Sequence, residues 1–133
     1  MNIDLSQMIT AEAKAAAAKE RLVADIAARR YQAEVSGIVW QGYGIATDRD
    51  SRNLVAQERS AALNGLRGDG DGWKCLDLST GAVTFWDASN AELIEMADAV
   101  YSYVRDCFKR EKELLAAVEA GTYTADMLEQ GWP

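Results

Sequence analysis

The chain has 133 residues, 49% of them hydrophobic, with a formal net charge of −7 and no histidine. That length fits one domain of ordinary size with a real core, and the acidic balance repels phosphate backbones, so no nucleic-acid partner is expected. Without histidine the commonest general base is missing, along with Ser-His-Asp and Cys-His arrangements and most zinc sites.

The N-terminal "MNIDLSQMIT" is too polar for a signal peptide, which predicts a chain made without an export signal. No apolar run approaches about 18 residues, so no membrane helix is expected. From Ser6 to Ser36 the chain is rich in Ala, Glu, Lys and Arg, and predicts a long helix closed by Gly37. Its apolar stripe is thin, at Leu22, Val23, Ile26 and Ala33, after the alanine run Ala15 to Ala18. Such a helix lies against something else, often another long helix.

"IVWQGYGIAT", Ile38 to Thr47, has strand composition and a turn near Gln41-Gly42, which predicts a hairpin. Gly42-Tyr43-Gly44 supplies only half of a dinucleotide-binding fingerprint, because Thr47 stands where its third glycine belongs. Both glycines read better as bends in a strand pair. "TDRDS", Thr47 to Ser51, puts acidic and hydroxyl residues at a helix start, where they satisfy free N–H groups and oppose the helix dipole. The helix that follows has apolar positions at Leu54, Val55, Ala62 and Leu63, and Gly65 beyond them.

"RGDGDG", Arg67 to Gly72, is a loop by composition. Counted from Asp69, the fifth and twelfth calcium-loop positions are Trp73 and Thr80, so the EF-hand pattern fails and no metal is expected. "WKCLDL", "STG" and "AVTFW" predict a second hairpin about Ser79-Thr80-Gly81. Cys75 and Cys107 are widely separated, make no disulfide framework, and read as reduced thiols.

Ser89 followed by Glu92 is a capping-box signature. It opens a helix expected from Asn90 to Ala120, stopped by Gly121. Leu93, Ala97, Val100, Val104, Cys107, Leu114 and Val118 recur at spacings of four and three, broken only by Glu111. That is a heptad seam, flanked by Ile94, Tyr101, Phe108 and Leu115. Such a helix is roughly 45 Å long, against a radius of gyration near 14 Å for a chain of this size. It should therefore overhang, and its far end needs the first helix or another subunit. In the tail, "TYTADMLEQGWP", one more helical turn with Trp132 folded back is expected.

The fold class expected is α+β: two long helices and a middle helix packed with a small antiparallel sheet of two hairpins. Residues 1–36 form the N-terminal helix and 37–133 the α+β body, one domain overall. The residues expected to carry helix packing or oligomer contact are Leu22, Ile26, Leu93, Val100, Val104, Phe108, Leu114 and Val118. A charge at Val104, as in Val104→Asp, is expected to dissociate or unfold the protein. No catalytic residue and no cofactor is assigned.

"GIVWQGYGIATDRDSRNLVAQERSAAL" and "GWKCLDLSTGAVTFWDASNAELIEMADAVYSYVRDCFKREKELLAAVEAG" together resemble an uncharacterised domain family of tailed phages and prophages. Its members sit in tail-fibre and tail-fibre-assembly proteins. The likeness rests on an aromatic hairpin, then Thr47, Asp48 and Ser51 at a helix start, and the later rhythm of Tyr103, Val104, Phe108, Glu113, Leu114 and Val118. It covers Ala15 to Gly121. The resemblance implies a non-enzymatic virion component or assembly helper, and the overhanging heptad helix predicts a dimer or trimer. It would contact other phage tail proteins, and act in the host bacterial cytoplasm during assembly or in the virion tail. The chain carries no fibre shaft of its own, and the family brings no catalytic residues. Two other classes remain: a small acidic adaptor or inhibitor with a basic partner, and a ligand-binding protein or enzyme using Asp48, Asp50 or Asp77 with a convergent arginine.

Overall fold

The computed structural model describes residues 5–133, with side chains from Thr10 onward. The first residues of the polar N-terminal stretch lie outside the described residues. Helix α1 spans Leu5–Glu34, strands β1 and β2 span Ile38–Trp40 and Tyr43–Ile45, and α2 spans Arg49–Leu63. Strands β3 and β4 span Gly72–Asp77 and Ala82–Asp87, α3 spans Asn90–Ala120, and a 3-10 turn covers Ala125–Glu129. The strands form one antiparallel sheet in the order β1-β2-β3-β4. Three helices on a sheet of two hairpins make this the α+β fold that the sequence predicts.

Local chemistry sets the joints. The first hairpin turns at Gln41 and Gly42 with φ of 49° and 83°, the double positive φ that a two-residue turn between twisted strands requires. In the second, the Asp77 carboxylate accepts the Ser79 amide at 2.9 Å and its hydroxyl at 2.6 Å. Asp48 caps α2 by accepting the Ser51 amide at 3.2 Å. At the start of α3, Ser89 and Glu92 form the reciprocal capping box, and Asp69 Oδ1 accepts the Asn90 amide at 2.7 Å. Gly121, at φ 72°, ends α3, the left-handed position that glycine occupies without strain.

The main core lies between α3 and one face of the sheet. Ile45, Cys75 and Trp86 from the sheet meet Leu93, Met96 and Val100 of α3, and α2 adds Val55. Tyr43 stacks on Trp86 with ring centroids 5.8 Å apart. Only part of the apolar pattern of α2 is used: Leu54 is 55% exposed and Leu63 58% exposed. Val55 and Ala62 turn toward the core, while Leu54 borders an open groove with Trp73, Lys74 and Phe85 of the sheet.

Helices α1 and α3 run antiparallel. Lys19 pairs with Glu119, Arg30 with Glu111 at 3.5 Å, and Ser36 with Tyr103 at 2.6 Å. The far end of α3 is thus supplied with the first helix as its neighbour. The overhang belongs to α1 instead, because residues 11–21 are exposed throughout and Lys19 already stands level with the last turn of α3. The tail folds back on this pair. Trp132 Nε1 donates to the Leu128 carbonyl at 2.7 Å, and the Arg29 guanidinium lies 5.2 Å from the Trp132 ring centre. Among the described residues, no helix is long and apolar enough to cross a membrane.

Candidate interaction surfaces

The last turn of α1 ends on Glu34, whose side chain is only 1% exposed. Arg30 pairs with Oε2 of its carboxylate; Arg52 reaches Oε1 at 2.8 Å and Arg49 at 3.7 Å. Arg30 also lies over the ring of Phe108, 4.5 Å from its centre, and faces Glu111. Next to this cluster, Thr47 is fully buried. Its hydroxyl donates to the Glu34 carbonyl at 2.7 Å and accepts the Gly37 amide at 2.9 Å. Glu111, the break in the heptad seam, is therefore a charged partner for α1.

The eight residues expected to pack helices divide in two. Ile26, Leu93, Val100 and Leu114 are at most 3% exposed and pack inside the chain. Leu22, Val104 and Val118 are half-buried, and Phe108 is 42% exposed beneath Arg30. Tyr101 in the flanking stripe is 67% exposed, because α1 and α2 each cover only one flank of α3. Val104 lines a groove between α2 and α3, about 560 Å³ in volume, together with Val55, Ala97 and Val100. Arg52 stands at one end of that groove, and the Arg59–Asp98 ion pair, at 2.9 Å, at the other.

The outer face of the sheet is open. Strand register aligns Val39, Gly44, Leu76 and Val83 in one row across all four strands. Val39 is 70% exposed, Val83 65%, and Phe85 66%. Gly44 keeps the row flat, since a Cβ there would stand 3.3 Å from the Leu76 Cβ. By strand alternation the face carries one lysine, Lys74, and one aspartate, Asp87.

The motifs weighed in the sequence have structural employment. Gly42 makes a turn and Gly44 lies in the open sheet face. In the "DGDG" loop, Asp69 serves the Asn90 amide and Asp71 the Gly68 amide. Among the described residues, no group of three Cys, Asp or Glu could hold a metal. Asp48 and Asp77 are engaged with the nearby Ser51 and Ser79, whose hydroxyls, more than their amides, hold each carboxyl below its ordinary range. Burial pushes the thiols of Cys75 and Cys107 and the phenol of Tyr103 upward.

Sequence reasoning missed two residues. Arg67, whose side chain is 2% exposed, pins the loop by donating to the Ala88 carbonyl at 2.9 Å and Asn90 Oδ1 at 2.8 Å. Glu34 was signalled only by its i,i+4 spacing from Arg30; its other partners come from α2.

The geometry defines an α+β chain with a buried ion cluster, an apolar helix groove and an open apolar sheet face. The chain belongs to the family described as domain of unknown function (DUF4376), whose profile matches residues 17–129. The match leaves the overhanging start of α1 outside it. No curated protein and no solved structure gave a match.

Proposed function

We propose that this chain is a non-enzymatic phage or prophage tail-fibre-associated protein, acting through protein–protein contacts as a virion tail component or a fibre-assembly helper. The resemblance of its hairpin-helix pattern supports the tail association. One observation carries the contact role: among the described residues, the apolar row of Val39, Leu76 and Val83, with Phe85 beside it, is left between 38% and 70% exposed. Contiguous exposed apolar surface of this kind marks association sites.

The occupant is a second copy. The chain carries a net charge of −7, so two copies repel over most of their surfaces. On this face Lys74 and Asp87 balance each other, and two faces meet without net repulsion. Two sheets packed face to face give the aligned sandwich geometry, about 10 Å apart. Assembly takes place in the host cytoplasm.

Light scattering on a size-exclusion column tests the contact. The wild type should run as a dimer, and Val83→Lys with Phe85→Lys should run as a monomer with unchanged helical content. A wild-type monomer at every concentration overturns self-association. Deleting the gene from a tailed phage that carries it should yield particles lacking fibres; intact fibres overturn the tail assignment.

A further inference from the structure

Strand β4 is an edge of the sheet, and the direction of its unpaired backbone groups follows from one hydrogen bond. The Leu78 amide donates to the Gly42 carbonyl at 3.1 Å, toward β2. Backbone groups alternate in direction along a strand. Leu76 therefore points its own toward Gly44 of β2, and Cys75 toward Thr84 of β4. Thr84 is thus bonded to β3, while Val83 and Phe85 turn their amides and carbonyls outward. Among the described residues nothing bonds those outward groups.

Exposed edges are normally guarded by a charge, a proline or a bulge. The stretch Ala82 to Trp86 has no charge and no proline, and its register against β3 is unbroken. It is also its own complement. Turned about a two-fold axis through Thr84, normal to the sheet, Val83 of one copy stands opposite Phe85 of the other. The outward groups of each then meet the outward groups of the other, as a hydrogen-bonded antiparallel pair on either side of the axis. Valine beside an aromatic ring is a favourable cross-strand pair. Ala82 falls opposite Trp86, and Asp87 opposite Gly81, so no charge faces a charge. An axis through Phe85 would set Asp87 against Val83 instead. In a chain of net charge −7, this uncharged stretch is where two copies approach with least repulsion.

We propose that β4 pairs antiparallel with β4 of a second copy about the axis through Thr84, joining two four-stranded sheets into one continuous sheet. This contact is separate from the face-to-face packing of the proposed function. One strand offers less area than a whole sheet face, so the edge links face-paired dimers only as concentration rises. It also extends that face, because the row of Val39, Gly44, Leu76 and Val83 continues into Phe85 of the second copy.

Disulfide trapping of the full chain under a mild oxidant tests the axis. Cys75 stands opposite Thr84 in β3 and would compete, so every variant carries Cys75→Ala. Opposite residues that share no hydrogen bonds have Cα atoms about 4.5 Å apart, within disulfide reach. Thr84→Cys should therefore form a covalent dimer. Phe85→Cys should not, because its two copies lie beyond the limit of about 7 Å. Val83→Pro removes an outward N–H and is tolerated on an edge strand. Added to Thr84→Cys, it should abolish trapping with little change in melting temperature. Val39→Lys, on the opposite edge of the sheet, weakens the face contact and should leave trapping intact. The proposal is overturned if Thr84→Cys is not trapped, if Phe85→Cys is trapped equally, or if trapping survives Val83→Pro. An untrapped Thr84→Cys in a chain that still runs as a dimer would remove the edge contact and leave the face contact standing.

Discussion

The hydroxyl of Thr47, buried just before α2, donates to the backbone carbonyl of Glu34, the last residue of α1, at 2.7 Å. The same oxygen accepts the Gly37 amide at 2.9 Å. One side chain thus satisfies two backbone groups that the end of α1 leaves without helical partners. Thr47→Val keeps the shape and removes both bonds. Leaving buried groups unpaired costs about 1–3 kcal/mol. Urea unfolding should show that loss for Thr47→Val and a smaller one for Thr47→Ser, which retains the hydroxyl. Equal losses would show that the methyl group matters as much as the hydroxyl.

Glu34 carries the second prediction. Its carboxylate is the common anion of Arg30, Arg49 and Arg52. Glu34→Gln is nearly isosteric but leaves those guanidiniums facing a neutral amide. Removing one partner of a buried ion pair costs about 3–5 kcal/mol, and the partial exposure of Arg30 and Arg52 places this case toward the lower end. Arg49→Ala should cost far less, because an exposed and distant pair is screened by solvent. Denaturant midpoints for the two variants decide it, and equal midpoints would refute the ranking.

These two residues also mark where sequence reading stops. Helix ends were legible because their chemistry is local: Ser89 and Glu92 are three residues apart, and Gly121 follows the last periodic residue. Both hairpins were legible for the same reason. The Glu34 cluster was not, because Arg49 and Arg52 reach it only after two strands turn the chain back. Helical spacing marked Leu54, Val55, Ala62 and Leu63 alike, yet Leu54 and Leu63 stand exposed while Val55 is buried, since a hydrophobic pattern states that a face exists and not how much of it a neighbour covers. Val104 shows the same limit. It continues the heptad seam past Val100, but stands half-buried in the groove that Arg52 also lines.

That difference yields a prediction for the seam. Val100 is 3% exposed and Leu114 1% exposed. Leu114→Ala should cost about 2–5 kcal/mol through lost burial and a cavity, and Val118→Ala, half-buried near the end of α3, clearly less. Val100→Asp should unfold the chain. Val104→Asp should be tolerated better, because its carboxylate emerges into an open groove lined by Arg52. Thermal melts of the four variants test the order, and Val104→Asp melting as low as Val100→Asp would contradict it.

The cap of α2 makes stability depend on pH in a definite direction. The Ser51 hydroxyl first, and then its amide, hold the Asp48 carboxyl below its ordinary value of 3.8. A group with a lowered folded-state value stabilises the fold fully above the ordinary value, and that stabilisation is lost as pH falls through the folded value. Asp48→Asn retains a capping oxygen and removes the titration. The stability advantage of the wild type over Asp48→Asn should therefore be largest near neutrality and shrink below about pH 4. A difference that stays constant in acid would exclude the carboxylate as its source.

The two thiols report which part of the fold opens first. Cys75 lies in the core between the sheet and α3, and Cys107 faces α1 from the later half of α3. Burial raises both thiols, which keeps the reactive thiolate scarce as well as covered. A disulfide-exchange reagent should label neither in the native state and both in denaturant. Between those limits, labelling follows local opening. Among its described side chains, α1 buries Ile26, Ala33 and Glu34 against the body, whereas the core around Cys75 is shared by the sheet, α2 and α3. Detaching α1 uncovers Cys107 and leaves that core intact. In mild denaturant Cys107 should therefore be labelled well before Cys75, as mass spectrometry of the digested protein would show. Labelling of both at a single rate would mean that α1 and the sheet core open as one cooperative unit.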